Sequence, residues 1–314
     1  MRRSIELFEQ AVALDPSFGH AFRELARAYV LLPEYSYEDR DEMYELAIAT
    51  LERGIAADPV LEEQSHDVFA LVHFNRWEWI EAEESFRRAL LSSPNDPSVH
   101  QWYSQHLASV GNVGGSLREV MEAKKLDILS PVVNDRLAVA YLWVDDDERA
   151  RQQFELANEL GLGRSANPES WLVLLLRQGD YDKAREILVD LQKLFARATD
   201  WIDPFIAAMR DPSQVLAARE ALSRAAENHN ISPKYLFGAL VYLGDADGAM
   251  DVAFELAHEP ADFDVEFLFA RETAILRCHP RFAELVASIG LDRYWATYGY
   301  PETYPGGGDA FGCN

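Results

Sequence analysis

Small residues recur along this chain at Ala47, Ala82, Ser116, Ala150 and Ala184, at spacings of 35, 34, 34 and 34 positions. Four positions after each stands an apolar residue (Leu51, Phe86, Val120, Phe154, Leu188), and three further on stand Gly54, Ala89, Ala123, Ala157 and Leu191. A helix-ending slot follows at Pro59 and Pro94, then at Ile128 and Leu162, where the proline is lost. The same register reaches back to Ser4, Phe8, Ala11 and Pro16. A period of about 34 residues that preserves side-chain size points to a stack of like units, none of which buries its apolar face alone.

A second phase precedes the first. It carries a large residue, a small one and usually an aromatic: Leu25, Ala26, Tyr29; Phe69, Ala70, His73; Tyr103, Ser104, Leu107; Leu137, Ala138, Tyr141. Small residues let a partner helix approach closely, and large ones at offsets of three and four make an apolar stripe. Turn signals fall between the phases at Gly111, at Asp145 to Asp147 and at Gly179-Asp180. Each unit therefore reads as an antiparallel helical hairpin.

The register has two irregularities. The first unit runs from Pro16 to Pro59, with nine extra residues expected as a longer loop around LLPEYSYEDRDE. After Ala184 the next recognised match is Gly244 and Ala249, and the intervening stretch, with Pro204, Pro212 and Pro233 as boundaries, reads as a degenerate repeat. The expected organisation is the second helix of an incomplete repeat over 1–16, repeats over 17–198, degenerate helical repeats over 199–264, capping helices over 265–300 and a flexible tail over 301–314.

These residues resemble the tetratricopeptide repeat family, which has this repeat length and these small and large positions. The segments FNRWEWIEAEESFRRALLSSP and HQWYSQHLASVGNVGGSLREVMEAKKLD, and the ending with Pro280, Arg281, Phe282, Gly290, Leu291, Tyr294 and Trp295, are similar to the repeat regions of bacterial winged-helix regulators and cyclase-linked repeat proteins. The resemblance implies an all-α, right-handed superhelical solenoid of antiparallel helix pairs whose first helices line a concave groove. Mapping the family's groove positions gives Arg23, Arg27, Asp67, Phe74, Gln101, Gln105, Asp135 and Trp143 as the expected partner-binding residues. The carboxylate clamp of the family's chaperone-tail receptors is not reproduced, since Glu24, Val68 and Trp102 stand where donors would be needed.

The resemblance further implies a protein-interaction or sensory module acting in signal transduction or transcription regulation on an N-terminal DNA-binding or cyclase domain outside this chain. A free-standing scaffold that binds a peptide or protein partner is the alternative. Leu7, Phe8, Ala11 and Val12 form an apolar face that would ordinarily meet a preceding helix. Leaving a Phe or Leu exposed forfeits roughly 1.5 to 3 kcal/mol each, so a missing upstream helix, or self-association through this face into a homo-oligomer, is expected; the alternative is a helix over 4–15 that packs only on the next hairpin and tolerates one open side.

Chemistry finds little footing. A formal charge of −24 opposes direct nucleic-acid contact. No apolar run approaches a bilayer span. Cys278 and Cys313 lie far apart, which gives neither a disulfide framework nor metal spacing and fits a cytoplasmic protein. PGGGDAFG at 305–312 lacks the Lys-Ser/Thr of a phosphate loop. His100 and His106 read as surface or packing residues without metal-ligand spacing. DDDE at 145–148 reads as a solvated turn that favours the next helix start. Cys278-His279 lacks a third group to orient it. Trp77, Trp79, Trp102, Trp143 and Trp171 read more simply as packing than as a ligand cage. No enzyme, metal or cofactor is expected.

Overall fold

In the computed structural model, residues 1–34, 36, 38–163, 166–258, 263–302 and 304 are described. They form helices and turns, with no strand among the described residues. The chain divides into two compact units, Met1–His106 and Leu107–Asn314.

In the first unit α1 (Arg2–Leu14) packs on α2 (Gly19–Leu31), α2 on α3 (Arg40–Ala57), and α5 (His66–Asn75) on α6 (Trp79–Ser92), with the short α4 (Leu61–Gln64) between. α7 (Pro97–Ser109) carries the unit boundary. The connection from α2 to α3 spans 32–39 and takes up the extra length expected there. Ala47, Leu51, Ala82 and Phe86 are wholly buried. At Gly54 a Cβ would stand 2.7 Å from Cβ of Phe22 and 2.5 Å from Leu61, so the small slot is what lets α2 and α3 touch.

In the second unit the pairs continue as α8 (Val113–Leu126), α9 (Pro131–Trp143), α10 (Asp147–Glu159), α11 (Pro168–Arg177), α12 (Tyr181–Leu194), α13 (Ile202–Arg210), α14 (Val215–Glu227), α15 (Pro233–Tyr242) and α16 (Ala246–Leu256). The register does not break after Ala184 as expected. Ala218, 34 positions on, is wholly buried in α14, followed in phase by Leu222 and Ala225, also buried. α13 and α14 pack as an ordinary pair. Their first helix has only nine residues, with Pro204 inside it and Pro212 in the turn that follows.

The turns at Trp77, Gly111, Asp145 and Gly179 repeat every 34 positions, and a further turn of the same kind follows at Gly244, 65 positions on. Trp77, Gly111, Asp145, Gly179 and Gly244 take left-handed backbone, with φ of 58, 87, 60, 70 and 66°. The residue after each donates its N–H back to a carbonyl of the preceding helix: Glu78 to His73, Asn112 to Leu107, Asp146 to Tyr141, Asp180 to Leu175 and Asp245 to Leu240, at 2.7–2.9 Å. This closes the helix C-terminus in a Schellman turn. The side chains of Asn112, Asp146, Asp180 and Asp245 then cap the next helix by accepting from Gly115, Arg149, Lys183 and Gly248.

The ending of the chain belongs to the second unit's core. After a 3-10 segment at Val265–Phe269 come α17 (Ala274–Arg277), α18 (Phe282–Ser288) and α19 (Leu291–Tyr298). Phe282, Leu291, Tyr294 and Trp295 are buried, and Trp295 Nε1 donates to the Val110 carbonyl at 2.9 Å. A Cβ on Gly111 would meet Phe269 and Pro301 at 2.8 Å, so that turn is glycine both for its φ and for this close approach. Cys278 is disulfide-bonded, contrary to the expectation of no disulfide, while Cys313 and residues 305–314 of the expected tail lie outside the described residues.

Candidate functional site

In the first unit the expected groove residues on α2 and α5 meet one another. Arg23 Nε donates to Asp67 Oδ1 at 3.2 Å, Arg23 Nη2 lies 3.0 Å from Oδ2, and Arg27 Nη2 also donates to Oδ2. Glu24 sits 3.2 Å from Arg23, Asp96 lies 3.7 Å from Arg27, and the Arg27 guanidinium stacks 5.3 Å over the Trp102 ring. Asp67 is 1% exposed and already holds two cations, so it acts as a brace between α2 and α5. Gln101 and Gln105 are half-buried on α7. Phe74 lies 6.0 Å from the Trp79 ring and 6.2 Å from His106.

Beneath this surface is a polar cluster that periodicity does not reveal. Glu83 accepts from Tyr103 Oη at 2.8 Å, pairs with Arg87 Nε at 2.7 Å and meets His106 Nε2 at 3.0 Å, with Glu83 and His106 both fully buried. Burial holds His106 below its ordinary value, so the imidazole is neutral and donates Nε2–H. Burial alone would push Glu83 up. The hydrogen bonds from His106 and Tyr103 and the Arg87 charge outweigh it and bring the carboxyl down to about 2. His106 is thus a packing residue as expected, but with a carboxylate partner that its spacing did not suggest.

Leu7, Phe8, Ala11 and Val12 do not share one environment. Val12 is buried with Ile5, Phe22 and Leu25, while Phe8 and Ala11 pack partly against that cluster. Only Leu7, at 49%, stands well into solvent.

The second unit uses its expected groove residues differently. Trp143 is buried, its Nε1 donating to Glu266 Oε2 at 2.7 Å and its ring 6.2 Å from Phe267. The chain's own 265–269 segment therefore occupies the place where a partner was expected. Asp135 accepts from Asn167 Nδ2 at 3.0 Å, and burial raises its carboxyl to about 6. The DDDE turn is not simply solvated. Asp147 accepts from Arg177 Nη1 at 2.8 Å and pairs with Arg271 at 3.2 Å. Arg177, 1% exposed, also grips Glu272 at 2.7 and 2.9 Å.

No family model and no curated protein sequence matches the chain. Among solved structures it is similar to one described as a functional characterization of Pseudomonas aeruginosa pilF, at 18% identity, with 79% of this chain and 94% of that chain covered and a TM-score of 0.45. It is also similar to the P58(IPK) TPR domain, at 15% identity, with 93% of this chain and 77% of that chain covered and a TM-score of 0.32. Likenesses this distant fix neither family nor function.

Among the described residues no cluster of His, Cys, Asp and Glu could hold a metal ion. No helix among them is long and apolar enough to cross a membrane.

Proposed function

We propose that this chain is a protein-interaction module of the tetratricopeptide kind, which takes a peptide or protein partner on the first unit's first-helix surface. The observation that carries the reading is the placement of Arg23 and Arg27, Asp67, Trp102, Gln101 and Gln105 across α2, α5 and α7. These are polar and aromatic groups on helices whose apolar stripes are already spent on the core. Two arginines fixed by Asp67, one of them (Arg27) stacked on the Trp102 indole, with half-buried amides beside them, suit an extended backbone flanked by mixed side chains. Asp67 is neutralised, so the surface does not reject acidic residues outright.

The test is selection from a displayed library of random peptides against the full chain. The reading predicts enriched peptides whose binding is lost in Gln101→Arg and Gln105→Arg and kept in a second-unit surface variant such as Leu216→Glu. Failure to enrich any peptide sensitive to the α7 changes would contradict it.

Regulation of a DNA-binding or cyclase output domain is the finer part of the proposal and rests on the resemblance of the repeat and closing segments. It predicts that a selected peptide changes the activity of an output domain carried by the same polypeptide.

A further inference from the structure

The second unit contains a pocket that the proposed partner surface does not use. It opens among α11, α13, α15 and the 263–267 segment, and it is walled chiefly by aromatic and aliphatic side chains, among them Trp143, Leu172, Phe205, Phe237, Phe263 and Phe267. Its cavity of about 70 Å³ is roughly five times what one enclosed water needs. A single small ring or short branched chain fits.

Three features of the walls go together. Gly238 lies inside α15, where glycine costs helix stability relative to alanine. Its φ is not in the left-handed region, and a Cβ built there would meet nothing within 4 Å. Neither backbone nor packing calls for glycine, and its effect is to leave the pocket wall without a side chain.

The second feature is a pair of orphaned donors. The indole Nε1 of Trp201, a residue only 1% exposed, and the phenol oxygen of Tyr242 are both buried without a hydrogen-bond partner, and both residues line this pocket. Buried donors of this kind are costly and uncommon in a settled core. Burial also pushes the Tyr242 phenol up, which keeps its proton in place.

The third feature is charge balance. Lys234 and Glu169 meet at 2.8 Å, and Tyr235 Oη donates to Glu169 at 2.8 Å, so these charged wall groups satisfy one another. Asp264 is exposed at the rim. No unbalanced cation invites an anion into the apolar part.

We propose that this pocket binds a small, uncharged, mainly apolar molecule carrying a hydrogen-bond acceptor of the carbonyl type, with Trp201 and Tyr242 as donors and Gly238 as the open wall. This goes beyond the partner-binding reading and stands independently of it, on other residues in the other unit.

Cyclohexanone is the probe, with methylenecyclohexane as its counterpart of like shape without an acceptor. The readout is the Trp201 indole N–H resonance of the full chain, assigned by its disappearance in Trp201→Phe. Cyclohexanone is expected to shift it saturably, and methylenecyclohexane to bind at least tenfold more weakly. Tyr242→Phe should weaken cyclohexanone by about tenfold. Gly238→Val should abolish the effect while the other indole resonances stay dispersed, and Gly238→Ala should raise the melting temperature while weakening the probe. Absence of a saturable shift, as for a pocket filled only by water or by a partner's side chain, would overturn the proposal. So would equal affinity for the two probes, or undiminished binding in a folded Gly238→Val.

Discussion

Arg136 donates from a single guanidinium nitrogen, Nη1, to both carboxylate oxygens of Glu266, at 2.7 and 2.8 Å, joining positions 130 residues apart. Both residues are buried, Arg136 Nη2 donates to Ser116 at 3.0 Å, and Trp143 completes the Glu266 shell. The pair ties the closing segment to α9, the helix where a partner was expected. Removing one partner of a buried pair strands the other charge, while replacing both with apolar groups is close to neutral. Glu266→Leu should therefore destabilise the second unit by roughly 3 to 5 kcal/mol, and Arg136→Met with Glu266→Leu should recover most of that loss. Denaturation midpoints of the two variants check both statements.

The Glu83 cluster sets an acid limit on the first unit. Glu83 is held at about 2, below its ordinary 4.5, so its stabilisation is complete above pH 4.5 and lost as pH falls towards 2. His106 is depressed as well, so its neutral form adds a loss that begins below its ordinary value of 6.5. Melting temperature against pH should decline below 6.5 and most steeply below 4.5, and Glu83→Gln should flatten the lower part of the curve.

Asp135 carries the opposite sign. Burial raises its carboxyl from 3.8 to about 6, so its contribution is favourable below 3.8 and is lost as pH rises through 6. Asp135→Asn should raise the melting temperature above pH 6 and leave it unchanged near pH 3.5.

Gly179 tests the turn. Its φ is 70° and nothing lies within 4 Å of a built Cβ, so Gly179→Ala meets only backbone strain. The expected loss is about 1 kcal/mol. A neutral result in urea denaturation would mean that left-handed backbone does not constrain this turn.

The helix pairs were legible because burial acts at fixed offsets, so Ala82, Phe86 and Ala89 must be small, large and small whatever surrounds them. The α13–α14 pair was equally legible through Ala218, Leu222 and Ala225, but Pro204 within its shortened first helix and Pro212 just after it mask the phase. Trp143 was placed on the groove by register, and register alone carries no trace of Glu266, 123 positions on. The Glu83–His106 contact and the Trp201–Gly238–Tyr242 pocket are invisible for the same reason: they join residues whose spacing follows no period.

Adjacent residues on α14 test the register most directly. Ala218 is wholly buried between paired helices, while Ala217 is exposed. Overpacking a filled site costs about 1 to 3 kcal/mol, whereas a surface change stays within roughly 0.5 kcal/mol. Denaturation midpoints of Ala218→Leu and Ala217→Leu should therefore diverge, with a clear loss for the first and almost none for the second. Equal midpoints for the two variants would contradict the in-phase packing on which the account rests.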